Sequence, residues 1–80
     1  MRLYSVYIIK LINGDYYVGR TDNFKRRIRE HYSGQQRTTK NFLPLKLITF
    51  VNFTSKHLAI KFEKYLKTGS GLAFRNRHLV

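Results

Sequence analysis

The chain has 80 residues, and 16 Lys and Arg against 4 Asp and Glu give it a formal net charge of +12 at pH 7. We expect one domain, residues 1–80, and the absence of cysteine excludes a disulfide framework and a thiolate metal site. No apolar stretch approaches the ~20 residues of a membrane span and no signal peptide is evident, so we expect a cytoplasmic protein that binds a polyanion, most simply nucleic acid.

The N-terminal segment predicts a β-hairpin. Residues 4–11 carry β-branched and aromatic side chains at both parities, which is typical of a strand covered on both faces. Asn13-Gly14 is a strong hairpin signal, and residues 15–20 are interpreted as the returning strand. The first two strands therefore pair antiparallel.

A helix follows the hairpin. Asp22 or Asn23 can cap a helix over residues 24–32, and Ser33-Gly34 ends it. At about 100° per residue its buried stripe contains Phe24, Ile28 and Tyr32. Residues 35–42 show no periodicity and predict a polar, basic surface loop.

The C-terminal half predicts one more strand and two more helices. Residues 45–53 are interpreted as the third strand, and a helix begins at Thr54 or Ser55 and runs through Lys67. Its inward-facing side chains are Leu58, Phe62, Tyr65 and Leu66. Ser70 can cap a last helix over residues 71–78. The order β-β-α-β-α-α predicts an α+β domain with a small three-stranded antiparallel sheet flanked by helices.

Glu63 is the carboxylate without an obvious structural role. Asp15 lies at the turn, Asp22 can cap a helix and Glu30 can pair with Arg26 one turn earlier. Glu63 borders the apolar stripe of its helix, where it is either a solvated residue among lysines or a hard metal ligand. Mg²⁺ is often held by one or two carboxylates plus water and phosphate, whereas two-metal sites need several, so cleavage of nucleic acid would use a single ion.

Four other side chains are candidates for chemistry. Arg27 and His31 lie one turn apart at the edge of the apolar stripe, and Tyr7 and Tyr17 lie on the two paired strands. Each also has an ordinary interpretation, as a snorkelling arginine, a half-buried histidine or a core aromatic. Singly, none of them is specific.

Together, these residues resemble the GIY-YIG endonuclease superfamily. The motifs are Val6-Tyr7, Tyr17-Val18-Gly19, then Arg27 and His31, then Glu63, in matching order and spacing from about Tyr4 to Phe74. The segments 27–34 and 62–71 are similar to those of small stand-alone members and of the catalytic domains of structure-specific repair nucleases. The resemblance implies a three-stranded antiparallel sheet with flanking helices.

The resemblance also implies roles for the first two motifs. Tyr7 would match the tyrosine taken as general base toward the attacking water. Tyr17 would match the tyrosine that helps order the water and metal shell, and Gly19 would leave room for close backbone approach. A phenol titrates near pH ~10, so Tyr7 would need nearby cations to act as a base at neutral pH.

The helical motifs complete the implied site. Arg27 would neutralise the scissile phosphate and stabilise charge at phosphorus, and His31 would act beside it. Glu63 would ligate one Mg²⁺ or Mn²⁺ ion.

The hairpin must satisfy a geometric condition if this site exists. A two-residue Asn13-Gly14 loop would pair residue 12 with residue 15 and place Tyr7 and Tyr17 on opposite faces of the sheet. We therefore predict an odd-length loop that includes Asp15, or a bulge between the strands.

Basic residues surround the implied site on the sequence map, and we expect them to contact the nucleic-acid backbone rather than read bases. They are Arg20, Lys25, Arg26, Arg29, Arg37 and Lys40. The leading hypothesis is a metal-dependent DNA endonuclease of the DNA-repair type, with DNA favoured over RNA and no obligate protein partner evident. The alternatives are an inactive relative that serves as a basic nucleic-acid-binding module, and an RNA-associated basic protein of ribosomal type.

Overall fold

The computed structural model describes residues 2–37 and 39–80. Its elements are β1 (Tyr4–Lys10), β2 (Tyr16–Thr21), α1 (Phe24–Tyr32), a short 3₁₀ turn (Lys40–Phe42), β3 (Lys46–Phe53), α2 (Lys56–Leu66) and α3 (Gly69–His78). The α+β class and the order β-β-α-β-α-α are confirmed, with each boundary within two residues of its prediction. No helix within the described residues is long and apolar enough to cross a lipid bilayer.

The three strands form one antiparallel sheet in the order β2-β1-β3. The central strand β1 is buried on both faces, and its residues Val6 to Ile9 are 1–2% exposed. This confirms the prediction drawn from its apolar residues at both parities. Because β1 is central, β2 is left at one edge of the sheet.

Each face of the sheet carries its own cluster. On one face, Tyr7 and Ile9 pack with Phe24 and Ile28 of α1. On the other, Val6 and Ile8 pack with side chains of α2 and α3, namely Ala59, Leu66, Phe62 and Phe74. The helices that carry the candidate site residues therefore lie on opposite sides of the sheet.

The buried stripes of α1 and α2 differ from the prediction. In α1 the fully buried residue is His31, whereas Tyr32 is 48% exposed and its hydroxyl accepts a hydrogen bond from the Leu47 amide. In α2 the buried residues are Ala59 and Leu66, and the predicted inward residues Leu58 and Tyr65 are half-exposed. The rest of the prediction holds, because Phe24 and Ile28 of α1 and Phe62 and Leu66 of α2 pack against the sheet.

The helix caps and the connecting loop also refine the prediction. Asn23 caps α1 and Ser55 caps α2, but Thr68 rather than Ser70 caps α3, through its hydroxyl and the Gly71 amide. The loop predicted over residues 35–42 contains the 3₁₀ turn, and Thr39 within it is fully buried instead of lying on the surface. Thr38 of that loop lies outside the described residues.

The hairpin connection resolves the question of the two tyrosines. Residues 11–15 link β1 to β2, an odd-length loop that includes Asp15, and Gly14 adopts φ +90°. Inside it the Leu11 amide donates to the Asp15 carbonyl at 2.8 Å. Tyr7 consequently pairs with Gly19, and Tyr17 pairs with Ile9. Directly opposed residues share a face, so Tyr7 and Tyr17 lie on the same side of the sheet.

Candidate active site

A buried chain of three polar side chains forms the centre of the site. His31 Nε2 lies 2.9 Å from the Tyr7 hydroxyl, and His31 Nδ1 lies 2.8 Å from the Thr39 hydroxyl. His31 and Thr39 are wholly inaccessible and Tyr7 is 1% exposed. These contacts join β1, α1 and the loop that follows α1, and they satisfy both ring nitrogens of a histidine that would otherwise be costly to bury.

Tyr17 completes an aromatic group around this chain. Its ring centroid lies 6.4 Å from that of Tyr7 and 5.4 Å from that of His31, and the Tyr7 and His31 rings are 5.5 Å apart. Tyr17 is more exposed than the other two rings, because it lies on the edge strand β2. The structure therefore brings Tyr7, Tyr17 and His31 together on one face of the sheet.

The Tyr7 ring packs directly against Gly19. A Cβ at this position would lie 2.4 Å from both Cζ and the hydroxyl oxygen of Tyr7, far inside van der Waals contact. The close approach expected over Gly19 is thus made by the Tyr7 ring itself. Any side chain here would displace the Tyr7 hydroxyl.

Burial keeps the Tyr7–His31 pair neutral. Desolvation raises the pKa of Tyr7 well above its ordinary value, and the charges of Tyr17, Glu63 and Glu30 add to this, whereas Arg27 acts in the opposite direction. Burial, followed by the nearby Arg27 charge, lowers the pKa of His31. Arg27 therefore does not offset burial at Tyr7, and the resting group is a phenol beside a neutral imidazole.

Glu63 lies across β2 from the tyrosines and is held by two cations. Arg20 Nε donates to its Oε1 at 3.0 Å, and Lys67 Nζ donates to its Oε2 at 2.9 Å. Burial would by itself raise the pKa of Glu63, but the hydrogen bonds from Lys67 and Arg20 outweigh burial and leave the pKa below its usual value. The side chain is 20% exposed and ionised at neutral pH, at the core border as predicted.

A basic cleft of about 270 Å³ at the end of β2 joins the two sides of the sheet. Arg20 and Arg27 both line it, although they come from β2 and α1. Its other cationic walls are Arg2 and Lys56. Glu63 is linked to this cleft through its ion pair with Arg20, whereas Tyr7 and His31 are not among the described residues that line it.

Arg27 is oriented by partial contacts rather than by a complete set of hydrogen bonds. Its Nε lies 3.5 Å from Glu30 Oε1, and its Nη1 donates to Gln36 Oε1 at 3.4 Å. The Nε atom is buried and makes no hydrogen bond within residues 2–37 and 39–80. Because Nε is inaccessible and faces Glu30, a ligand in the cleft could contact Arg27 only through its terminal nitrogens.

Comparison with known proteins assigns the sequence to a family. Residues 3–75 match the GIY-YIG catalytic domain. The chain belongs to the GIY-YIG family. The match covers nearly the whole sequence, and the family assignment indicates a nuclease-type function with nucleic acid as the substrate.

Curated bacterial members of the family are similar over most of this chain. A UPF0213 protein of Limosilactobacillus reuteri is 40% identical over 67 residues, which are 80% of this chain and 70% of that protein. A UPF0213 protein of Streptococcus pneumoniae is 38% identical over 78% of this chain, which spans 64% of its length. The solution structure of a UPF0213 protein of Bacillus halodurans superposes with a TM-score of 0.61 at 30% identity, covering 94% of this chain and 81% of that one.

GIY-YIG nucleases are generally dependent on a divalent metal, which would be held by His, Asp or Glu side chains. Within the described residues, no group of three or more His, Asp or Glu side chains is placed to hold an ion. Glu63 nevertheless fits one hard cation, since a carboxylate offers about four acceptor sites and Arg20 and Lys67 use two. Mg²⁺ commonly takes its remaining ligands from water and phosphate.

The remaining predicted cations of this GIY-YIG domain are exposed. Lys25, Arg26, Arg29, Arg37 and Lys40 are solvent-accessible on α1 and the following loop. Arg20 differs from them because it is already paired with Glu63.

Sequence reasoning missed four residues at the site: Arg2, Thr39, Lys56 and Lys67. Lys67 carries a detectable signal, because it lies four residues after Glu63 on the same helix, where opposite charges meet. Arg2, Lys56 and Thr39 carry none, since only the tertiary fold brings them to the cleft or the core.

Proposed function

We propose that this protein is a metal-dependent endonuclease that hydrolyses phosphodiester bonds in DNA, with one Mg²⁺ or Mn²⁺ ion and Tyr7 as the base. The observation that carries the proposal is the hydrogen bond between the Tyr7 hydroxyl and His31 Nε2, 2.9 Å long, inside a GIY-YIG fold. It provides a proton path at a tyrosine that burial keeps protonated.

The proton path removes the need for a stable phenolate. As water attacks phosphorus, the Tyr7 oxygen takes a proton from the water, and the proton of the Tyr7 hydroxyl passes to His31 Nε2. The P–O bond to the leaving oxygen breaks and that oxygen takes a proton from solvent. His31 then returns its proton through Tyr7 to solvent, so the net reaction adds one water across the bond. Because burial and Arg27 lower the pKa of His31, the imidazole is neutral at pH 7, and one ring nitrogen has a free lone pair that can accept a hydrogen bond.

The cations of the cleft would hold the substrate. Arg27 and Arg20 line the same cleft, and their terminal guanidinium nitrogens would be the donors to substrate. A phosphate there would receive guanidinium donors where negative charge develops on the phosphoryl oxygens. Tyr17, at the exposed margin of the aromatic group, would hydrogen bond the attacking water.

Glu63 would hold the metal ion together with water and phosphate oxygens. The bound ion would supply Lewis acidity at a phosphate oxygen. Arg20 and Lys67 keep the carboxylate ionised and oriented, and they would share its oxygens with the ion.

A cleavage panel tests the proposal. Labelled single-stranded, duplex and branched DNA, with RNA of the same sequence, would be incubated with Mg²⁺, with Mn²⁺ or with EDTA. We expect cleavage of at least one DNA form with either ion and none with EDTA. We also expect Glu63→Gln to bind DNA and not cut it, whereas Lys64→Gln, on the same helix, cuts as wild type does.

The second candidate function is a nucleic-acid-binding module without catalytic activity. It is favoured by the state of Glu63, because both of its oxygens are hydrogen bonded to cations. Under this alternative, wild type and Glu63→Gln bind every form of DNA alike and neither cuts any of them under any metal condition. That result would overturn the endonuclease proposal.

A further inference from the structure

Thr39 is a buried polar residue that the proposed chemistry has not yet used. It lies in the loop after α1, its side chain is wholly inaccessible, and its hydroxyl lies 2.8 Å from His31 Nδ1. Its backbone is fixed as well, since its amide donates to the Gln36 carbonyl and its carbonyl accepts from the Phe42 amide. The hydroxyl is therefore held against the imidazole by a hydrogen-bonded turn.

The two hydroxyls on His31 make its two neutral tautomers inequivalent. A neutral imidazole has one donor nitrogen and one acceptor nitrogen. The Tyr7 and Thr39 hydroxyls are both buried and each lies within hydrogen-bond distance of His31, but the phenol is the more acidic and therefore the stronger donor, which favours Nε2 as the acceptor. If Nε2 accepts, the proton of the ring is on Nδ1, and the Thr39 oxygen must accept it.

We propose that Thr39 is a positioning residue that holds His31 in the Nδ1–H tautomer, so that Nε2 presents its lone pair to the Tyr7 hydroxyl. The contacts then form one directed chain from Tyr7 through His31 to Thr39. Without the acceptor on Thr39, a buried Nδ1–H would have no partner in the described structure. The Nδ1–H tautomer would then no longer be stabilised by a hydrogen bond.

The catalytic consequence rests on the proposed function. With Nε2 protonated, His31 cannot take the proton of Tyr7, and the base is disabled while substrate binding is untouched. Thr39 therefore acts through His31 and does not touch the substrate.

Nitrogen-15 NMR of the free protein tests the tautomer without any activity. Long-range proton couplings report which ring nitrogen carries the proton at a pH where His31 is neutral, and His31→Gln assigns its signals among the three histidines. We expect Nδ1 protonated and Nε2 unprotonated in wild type. Protonated Nε2 in wild type would overturn the proposal, whatever the variants do.

Two substitutions at position 39 isolate the hydroxyl. Thr39→Val keeps the shape and removes the acceptor, so we expect a mixed or Nε2–H tautomer, whereas Thr39→Ser restores the wild-type pattern. Thr49→Val is the matched control, because the Thr49 hydroxyl bonds the Leu79 carbonyl on the other side of the sheet. A folded Thr39→Val that keeps the wild-type tautomer would contradict the proposed role.

Kinetics give the second measurement. We expect Thr39→Val to lower kcat by about 10- to 100-fold with KM nearly unchanged, and Thr39→Ser to recover most of it. A Thr39→Val enzyme with wild-type kcat would overturn the catalytic part. If no variant, wild type included, cuts DNA but the tautomer pattern holds, the proposed function fails while the assignment of Thr39 stands.

Discussion

His31 has both ring nitrogens bonded to hydroxyls inside the core, and protonating it there is unfavourable. Because burial and Arg27 lower its pKa below 6.5, the unfolded chain binds more protons than the native one in mildly acidic solution. The sign follows directly: the free energy of unfolding is highest above pH 6.5 and falls as pH decreases through that value.

Chemical unfolding between pH 8 and pH 5 would measure this dependence. His31→Gln should flatten the decline, whereas His57→Gln, at an exposed histidine, should keep it. Glu63 does not confuse the result, since its lowered pKa confines its own loss of stability to below pH 4.5. A wild-type protein whose stability is constant or rises on acidification over this range would contradict the buried, neutral His31.

Adding a single methyl group at Gly19 should displace the Tyr7 hydroxyl and leave the rest of the fold in place. Its Cβ would meet the Tyr7 ring at 2.4 Å, so Gly19→Ala must push the ring away from His31. We expect a loss of about 1–3 kcal/mol in stability from overpacking, and a fall in cleavage larger than this loss explains. Urea unfolding and cleavage assays measure the two effects. Wild-type values of Gly19→Ala in both assays would refute the close contact between Gly19 and the Tyr7 ring.

At the residue scale, sequence predicted the site only where motifs exist. That Tyr7, Tyr17, Gly19 and His31 lie together could be predicted, because the strand and helix motifs that carry them are recognisable in the sequence. Their catalytic roles stay predictions. Thr39 was not predicted, because no periodicity marks the loop that carries it and its burial arises from packing against α1.

At the scale of the elements, the pair α2 and α3 is built on a close backbone approach. A Cβ at Gly71 would lie 1.6 Å from the Tyr65 carbonyl oxygen, whereas a Cβ at Gly69 would have nothing within 4 Å. Both residues belong to α3, so alanine gains helix propensity at each.

We expect opposite results at these two positions. Gly71→Ala should lower the free energy of unfolding by at least ~2 kcal/mol, because backbone must move, and Gly69→Ala should leave it unchanged or raise it by up to ~1 kcal/mol. Denaturant titration measures both. Equal effects at the two positions would be inconsistent with the helix–helix contact.

Element types and order were predictable because hydrophobic period and caps act locally. The buried faces of the helices were harder to predict, because Tyr32, Leu58 and Tyr65 are apolar enough to suit the core but are half-exposed. Ala59 and His31 took their places, one because it is small and the other because its nitrogens are hydrogen bonded. Which of two candidate residues faces the sheet is decided by fit to partners distant in sequence.

At the scale of the whole molecule, the charge of +12 should control binding to DNA. If about five of the predicted cations contact duplex phosphates, log K should fall against log salt with a slope near −4.5. Arg29→Gln should reduce the magnitude of the slope by about 0.9, whereas Lys64→Gln on the outer side of α2 should not change it. Fluorescence anisotropy over a salt series measures both, and identical slopes in the two variants would exclude α1 as the contact surface.

The residues proposed for the site come from both faces of the sheet. Tyr7, Tyr17 and His31 lie on the side of α1, Glu63 comes from the side of α2, and Arg20 and Arg27 meet in the cleft at the end of β2. Because β2 is an edge strand, the proposed site would have to form around β2.

The most direct test of the account is the single-turnover cleavage rate of Tyr7→Phe at saturating protein with Mg²⁺. This variant removes one oxygen atom and leaves the ring in its packed position over Gly19. We expect a rate at least ~100-fold below wild type with unchanged Kd for DNA, because the base and its link to His31 are lost together. Cleavage by Tyr7→Phe at the wild-type rate would contradict it.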